Sequence, residues 1–303
     1  MYEKILVPLD GSQLAEVALP YAEELAGRLD SEIILIYVSE STENPNYYMY
    51  QLYIQQIVEA TKHAAEKYHG KPEGKSIKVE SAILVGHPAE EIVDYADKED
   101  IGLIVIATHG RSGIKRWALG SVADKVMRSA TQPVALIRAK GARPDVREKG
   151  VLNKALVSLD GSKESEAVIP YIEELASKLE AEIILLHVLE RAQHIRSGSV
   201  EDTLIPYTEE EMRPLKANAV GYLEKVGNLL KDKGITTSFE VRIGTPTEEI
   251  VNLADENSVD LVAIATHGRS GIGRWAFGSV TDRVLHAGNT PLLMVRTPRA
   301  GTE

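Results

Sequence analysis

At 303 residues, 44% hydrophobic and 26% charged, the chain has an ordinary globular composition, with room for two domains of about 150 residues that could each bury a core. A formal net charge of -11 argues against a general binder of nucleic acid or of anionic membranes, since those engage phosphates through basic surfaces. With no cysteine, disulfides, thiolate metal sites and thiol nucleophiles are excluded, and no apolar run approaches the length of a membrane span. Met1-Tyr2-Glu3-Lys4 leads straight into Ile5-Leu6-Val7, so no signal peptide is expected and the expected location is the cytoplasm.

In chain order, Lys4 to Leu9 reads as a buried strand, ending in Asp10-Gly11-Ser12. Apolar residues at Leu14, Val17, Ala18, Tyr21, Leu25 and Ala26 follow at helical spacing, with Ser12 as the N-cap. Glu32 to Val38 is a second buried strand. A polar, tyrosine-rich connection leads to a helix over Gln51 to Tyr68. Ile77 to Val85 alternates as an edge strand would, and Gly86-His87-Pro88 opens a helix over Ala89 to Ala96, with the proline in its first turn. Gly102 to Thr108 is a fourth strand, Val122 to Arg128 a helix, and Pro133 to Arg138 an apolar fifth strand. Strand and helix alternate throughout, the pattern of a doubly wound α/β sheet.

The itinerary then repeats. Ala139 to Asn153, rich in charge, Gly and Pro, reads as a linker. Asp10-Gly11-Ser12 returns as Asp160-Gly161-Ser162, and Pro20-Tyr21 as Pro170-Tyr171, at an offset of 150. Gly86-His87-Pro88 returns as Gly244-Thr245-Pro246, and Gly120-Ser121 as Gly278-Ser279, at an offset of 158. The second copy is therefore eight residues longer between its second and third strands. Expected domains are 1–139 and 154–298, joined by 140–153.

One stretch organises both copies: Ala107 to Ser121, with Thr108, His109, Gly110, Arg111, Gly113 and Gly120, and Ala265 to Ser279, with Thr266, His267, Gly268, Arg269, Gly271 and Gly278. Each lies between a buried strand and a helix that begins near Val122 or Val280. The first turn of a helix leaves backbone N–H groups without partners at the positive end of its dipole, so strand, glycine-bearing loop and helix start suit an anion. Glycine admits close approach, and serine adds a hydroxyl. Arg111 and Arg269 offer guanidinium forks that match phosphate oxygens. The competing reading is a tight connection with a serine cap and solvated arginines.

These stretches resemble the universal stress protein family, whose ATP-binding members carry Gly, two residues, Gly, nine residues, then Gly-Ser or Gly-Thr. The spacing fits Ala107, Gly110 and Gly120-Ser121, and Ala265, Gly268 and Gly278-Ser279, with alanine at the first glycine in both copies. Alanine there is mild if φ is negative and an obstacle if φ is positive. The resemblance implies two tandem Rossmann-like domains, similar to adenine nucleotide alpha hydrolases, each an open five-stranded parallel sheet of order 3-2-1-4-5 with helices on both faces. It further implies that Pro8, Asp10 and Val38 hold the base and ribose of ATP, ADP or AMP, bound with Mg²⁺, and that Gly110, Gly120, Ser121 and Val122 hold the phosphates. In the second copy the corresponding residues are Asp160, Val188, Gly268, Gly278, Ser279 and Val280, with Ser158 where the first copy has Pro8. It also implies that the apolar fifth strands of the two domains pair as an intramolecular pseudo-dimer, with a further homodimer open.

Several residues carry two readings. Asp10 and Asp160 are also turn aspartates able to bond their own backbone. His109 and His267 invite a general-base role but have no carboxylate partner in the pattern. Trp117 and Trp275 fit packing anchors better than base stackers. Tyr47, Tyr48, Tyr50 and Tyr53 suit a lid, a surface for a protein partner, or a buried helix flank. Three function classes follow: an ATP-binding regulatory stress protein, a nucleotide-free scaffold, and a slow ATP-hydrolysing or adenylyl-transferring enzyme. No catalytic residue and no protein-only metal site is expected, and neither a Walker A lysine loop nor a Ser-Gly-Gly loop follows the first strand.

Overall fold

The computed structural model describes residues 1–41, 43, 47–68, 76–108, 119–138, 146, 150–195, 203–266 and 278–297, without side chains for 193–195 and 203–205. The first half contains β1 (Lys4–Leu9), α1 (Gln13–Glu16), α2 (Leu19–Leu29), β2 (Glu32–Ser39), α3 (Tyr47–Glu66), β3 (Val79–Val85), α4 (Pro88–Lys98), β4 (Leu103–Ala107), α5 (Ser121–Ser129) and β5 (Val134–Ile137). The second contains β6 (Lys154–Ser158), α6 (Lys163–Glu166), α7 (Ile169–Leu179), β7 (Glu182–Leu189), β8 (Ala192–Ile195), β9 (Thr203–Pro206), α8 (Glu209–Lys231), β10 (Thr237–Ile243), α9 (Pro246–Glu256), β11 (Leu261–Ala265), α10 (Ser279–Ala287) and β12 (Leu292–Val295).

Ten strands form one sheet in the order β10-β7-β6-β11-β12-β5-β4-β1-β2-β3. Read outward from its centre, each half runs 5-4-1-2-3 in its own numbering. Within each half the strands of this ten-stranded sheet pair in parallel. At the junction β12 runs antiparallel to β5, with Leu292 opposite Leu136 and Met294 opposite Val134. The two apolar fifth strands thus satisfy each other's exposed edges.

Successive strand residues point to opposite faces, so β1 buries Ile5 and Val7 in one layer and Leu6 in the other. The first layer holds α2, α3, α7 and α8, the second α4, α5, α9 and α10, and each draws residues from both halves. Helices on both sides explain why the central strands are apolar throughout rather than alternating.

Two expectations need correction, and one connection holds an element to which the sequence reading assigned none. The single helix after β1 is two helices, because Pro20 has no N–H to give the carbonyl of Glu16 and instead sits in the first turn of α2; Pro170 does the same between α6 and α7. α3 begins at Tyr47 rather than Gln51, so the tyrosines belong to the helix. The longer connection of the second half contains an antiparallel hairpin, Ala192 opposite Pro206 and Ile195 opposite Thr203.

Charged groups bind the halves together. Arg128, on α5, reaches Asp124 Oδ1 at 2.9 Å and, across the junction, Asp282 Oδ1 at 2.9 Å. His286 stands at the equivalent place on α10, and its Nδ1 donates to the Asp282 carbonyl at 2.7 Å, which fixes that nitrogen as the protonated one. Arg138 donates to the carbonyls of Leu285 (2.7 Å) and Val284 (3.3 Å). Burial pushes its guanidinium down to about 10, which leaves it charged at neutral pH.

Candidate functional site

Three loops meet at the carboxyl ends of β1, β2 and β4, where the winding direction of the first half reverses and open parallel sheets leave a crevice. At the end of β1, Ser12 donates to Asp10 Oδ1 through its amide (3.0 Å) and its hydroxyl (2.7 Å). The Ser12 Oγ in turn accepts from the Ala15 amide at 3.2 Å and caps α1. Gly11 has φ 81°, a left-handed conformation that a side chain resists. Asp160, Gly161 (φ 82°) and Ser162 repeat this relay, with Ser165 in place of Ala15. The turn-aspartate reading therefore holds for both aspartates.

Ala107 is the last residue of β4, buried and paired with Ile137. Neither Ala107 nor Ala265 is among the residues of positive φ, so a methyl at these positions meets no backbone strain. The Gly120 amide donates to the Thr108 carbonyl at 2.7 Å, and the Thr108 amide donates to the Ile137 carbonyl at 2.8 Å. The neck of this loop is thereby hydrogen-bonded shut. The second half repeats it, Gly278 to Thr266 at 2.9 Å and Thr266 to Val295 at 2.9 Å. The Thr281 hydroxyl adds a bond to the Ala265 carbonyl at 2.9 Å.

α5 starts with Gly120 as N-cap, φ -64° and ψ 145°, and no side chain among the described residues caps it. The amides of Ser121, Val122 and Ala123 have no acceptor within the helix, since the first bond of the turn is Asp124 to the Gly120 carbonyl at 2.9 Å. Those donors open onto a cleft of about 400 Å³ lined by Pro8, Asp10, Val38, Ala107, Thr108, Gly120, Ser121 and Val122. Every first-half residue expected at the site and described by the structure lines this one cleft. His109, Gly110, Arg111 and Gly113 lie outside the described residues, as do His267, Gly268, Arg269, Gly271, Trp117 and Trp275. Asp160, Val188, Ala265, Thr266, Gly278, Ser279 and Val280 occupy the matching strand and helix ends of the second half.

The sequence reading missed an apolar wall made by Ile36, Tyr37, Tyr50, Pro88 and Ile92. Tyr50, on α3, stacks on Tyr37 with ring centroids 4.4 Å apart and planes at 26°. Tyr53 donates to Glu16 Oε1 at 3.0 Å. The tyrosine segment is thus part helix flank and part cleft wall. In the second half His187 replaces Tyr37 and meets Tyr222 edge-on at 6.1 Å and 73°. Burial first, and the nearby Glu166 carboxylate second, push the Tyr222 phenol well above its ordinary range. The two halves therefore differ chemically at this position.

Among the described residues no group of three or more His, Cys, Asp or Glu could hold a metal ion, and no helix is long and apolar enough to cross a membrane.

The universal stress protein family model matches this chain twice, at residues 1–138 and 152–296. A universal stress protein from Methanocaldococcus jannaschii is 34% identical over 141 residues, 46% of this chain and 83% of its own length. One from Synechocystis is 24% identical over 316 residues, covering 97% of this chain and 100% of its own length. Among solved structures, a universal stress protein from Archaeoglobus fulgidus superposes with a TM-score of 0.68 at 18% identity, over 98% of this chain and 99% of that one, a likeness of fold.

Proposed function

We propose, on the premise that this chain belongs to the universal stress protein family, that it binds an adenine nucleotide, ATP with Mg²⁺, and acts in stress regulation through nucleotide-dependent conformation or partner choice. The observation that carries this reading is the start of α5, where uncapped amides of Ser121, Val122 and Ala123 open into a cleft whose other wall is apolar. Donors at one end and an apolar wall at the other match a phosphate chain and a base, and about 400 Å³ falls within the usual range of small-molecule sites.

Pro8, Ile36, Val38 and Tyr50 would flank the base, Asp10 would stand beside the ribose while keeping its bond to Ser12, and Gly120 to Ala123 would receive phosphate oxygens. With no acidic cluster among the described residues, Mg²⁺ would be held by the phosphates and water rather than by a protein cage. In the second half Gly278, Ser279 and Val280 would receive phosphates in the same way, beside Asp160 and Val188. Ala107 and Ala265, where the family has glycine, are compatible with the reading, since neither has positive φ.

The test is calorimetric titration of the full chain with ATP and Mg²⁺, together with chromatography of any nucleotide released from the purified protein. Gly120→Val should abolish binding in the first half alone, and Ser121→Ala should weaken it by about 0.5–1.5 kcal/mol, the worth of one hydroxyl contact. A wild-type chain that neither carries nor takes up nucleotide overturns the proposal and leaves the scaffold reading.

A further inference from the structure

Each anion-binding helix has two ends, and only the first faces the cleft. The last carbonyls of α5 accept from an arginine of the other half: Arg296 donates through Nη1 to Ser129 at 3.2 Å and through Nη2 to Arg128. The last carbonyls of α10 accept in the same way from Arg138, which lies in the first half. Both arginines directly follow a fifth strand, so the antiparallel β5–β12 pairing is what carries each one across to the opposite helix. A cation on terminal carbonyls satisfies orphan acceptors and complements the negative end of the dipole. It also fixes where the helix axis lies, and hence where its far end points.

The residue after Arg296 extends the connection. Thr297, next to Arg296, donates through its amide to Thr266 Oγ1 at 3.3 Å, and the Thr266 carbonyl accepts from Gly278 at the start of α10. One short run of chain, Arg296-Thr297, therefore touches the rear of the first half's helix and the neck of the second half's loop.

We infer that Arg296 and Arg138 are positioning residues exchanged between the halves, each holding the helix that binds phosphate in the half to which it does not belong. This inference rests on the nucleotide reading above.

The experiment uses the full chain in two backgrounds, Gly278→Val to leave the first site and Gly120→Val to leave the second. Arg296→Ala should weaken ATP binding roughly 2- to 5-fold at the first site, the size of a helix-terminus charge effect, and leave the second unchanged. Arg138→Ala should do the opposite. Arg296→Lys should recover most of the loss, because an ammonium still complements the terminal carbonyls. In parallel, amide hydrogen exchange of nucleotide-free protein should speed up in 121–129 for Arg296→Ala and in 279–287 for Arg138→Ala. Loss confined to the arginine's own half, or equal loss at both sites with a general rise in exchange, overturns the inference. A wild-type chain that binds no ATP removes the nucleotide reading and the affinity claim together. The exchange pattern, which needs no ligand, separately decides whether the arginines anchor the opposite helices.

Discussion

The backbone amide of Val151 donates to Oε2 of Glu24 at 2.9 Å, joining the point where the chain enters its second half to a helix of the first. The relationship is mirrored 150 positions away, where the Met1 ammonium donates to Glu174 Oε1 at 3.3 Å. The two versions differ in burial. Glu24 is 1% exposed and also pairs with Arg28 at 3.0 Å, whereas Met1 and Glu174 are solvated.

Glu24→Ala should therefore cost about 1–3 kcal/mol, because it strands a buried amide, while Glu174→Ala should fall within about 1 kcal/mol of wild type, as exposed ion pairs do. Urea unfolding of the two variants side by side checks the asymmetry. Equal losses would mean that burial does not separate them.

Ala107→Gly should leave ATP affinity within about 2-fold, since the alanine already sits in unstrained extended backbone, yet lower stability by roughly 0.5–1 kcal/mol through strand entropy. Calorimetry and thermal melts measure the two effects independently. A large gain in affinity would show that the methyl obstructs the ligand.

Gly11→Ala should destabilise by about 1–2 kcal/mol, the cost of forcing a side chain into the left-handed region, because Gly11 sits at φ 81° between Asp10 and the α1 cap. Gly161→Ala, at φ 82°, should match it. Denaturation midpoints of both variants test this; one neutral and one harmful result would break the equivalence of the two turns.

The start of α8 should be sensitive to acid. Thr208 donates to Glu211 through its amide and its hydroxyl, both at 2.8 Å, and these bonds, the amide's first, hold the Glu211 carboxyl below its ordinary value. A carboxyl depressed on folding adds stability above its unfolded pKa, and that contribution fades as pH falls through the folded pKa. Protection factors of the amides in the first turn of α8, taken against the unstructured-peptide rate at the same pH, should fall below about pH 4.5 in wild type. Glu211→Gln should flatten that dependence.

The fold was legible where the pattern depends on the local chain: the apolar strands, the Asp-Gly-Ser turns with their serine caps, and the doubled itinerary. What escaped depends on covalent detail or on remote partners. Pro20 interrupts an apolar spacing that itself reads as continuous, because the interruption lies in a missing N–H rather than in hydropathy. Tyr50 was visible as an aromatic but not as cleft wall, since its place follows from stacking on Tyr37, thirteen residues earlier and on another element. Glu24, Arg138 and Arg296 bond to residues more than a hundred positions away, so no local pattern announces them.

Arg128 bonds to Asp282, yet the mirrored position of Arg128 holds His286, which turns to a carbonyl on its own helix. In a dimer of identical chains every substitution at the axis is made twice and must suit itself. Joining two copies in one polypeptide lifts that restriction, because each side of the axis can change alone. Dilution cannot separate the halves, and their ratio stays one to one at any level of synthesis. One half is then free to change while the other is kept, as His187 in the place of Tyr37 records.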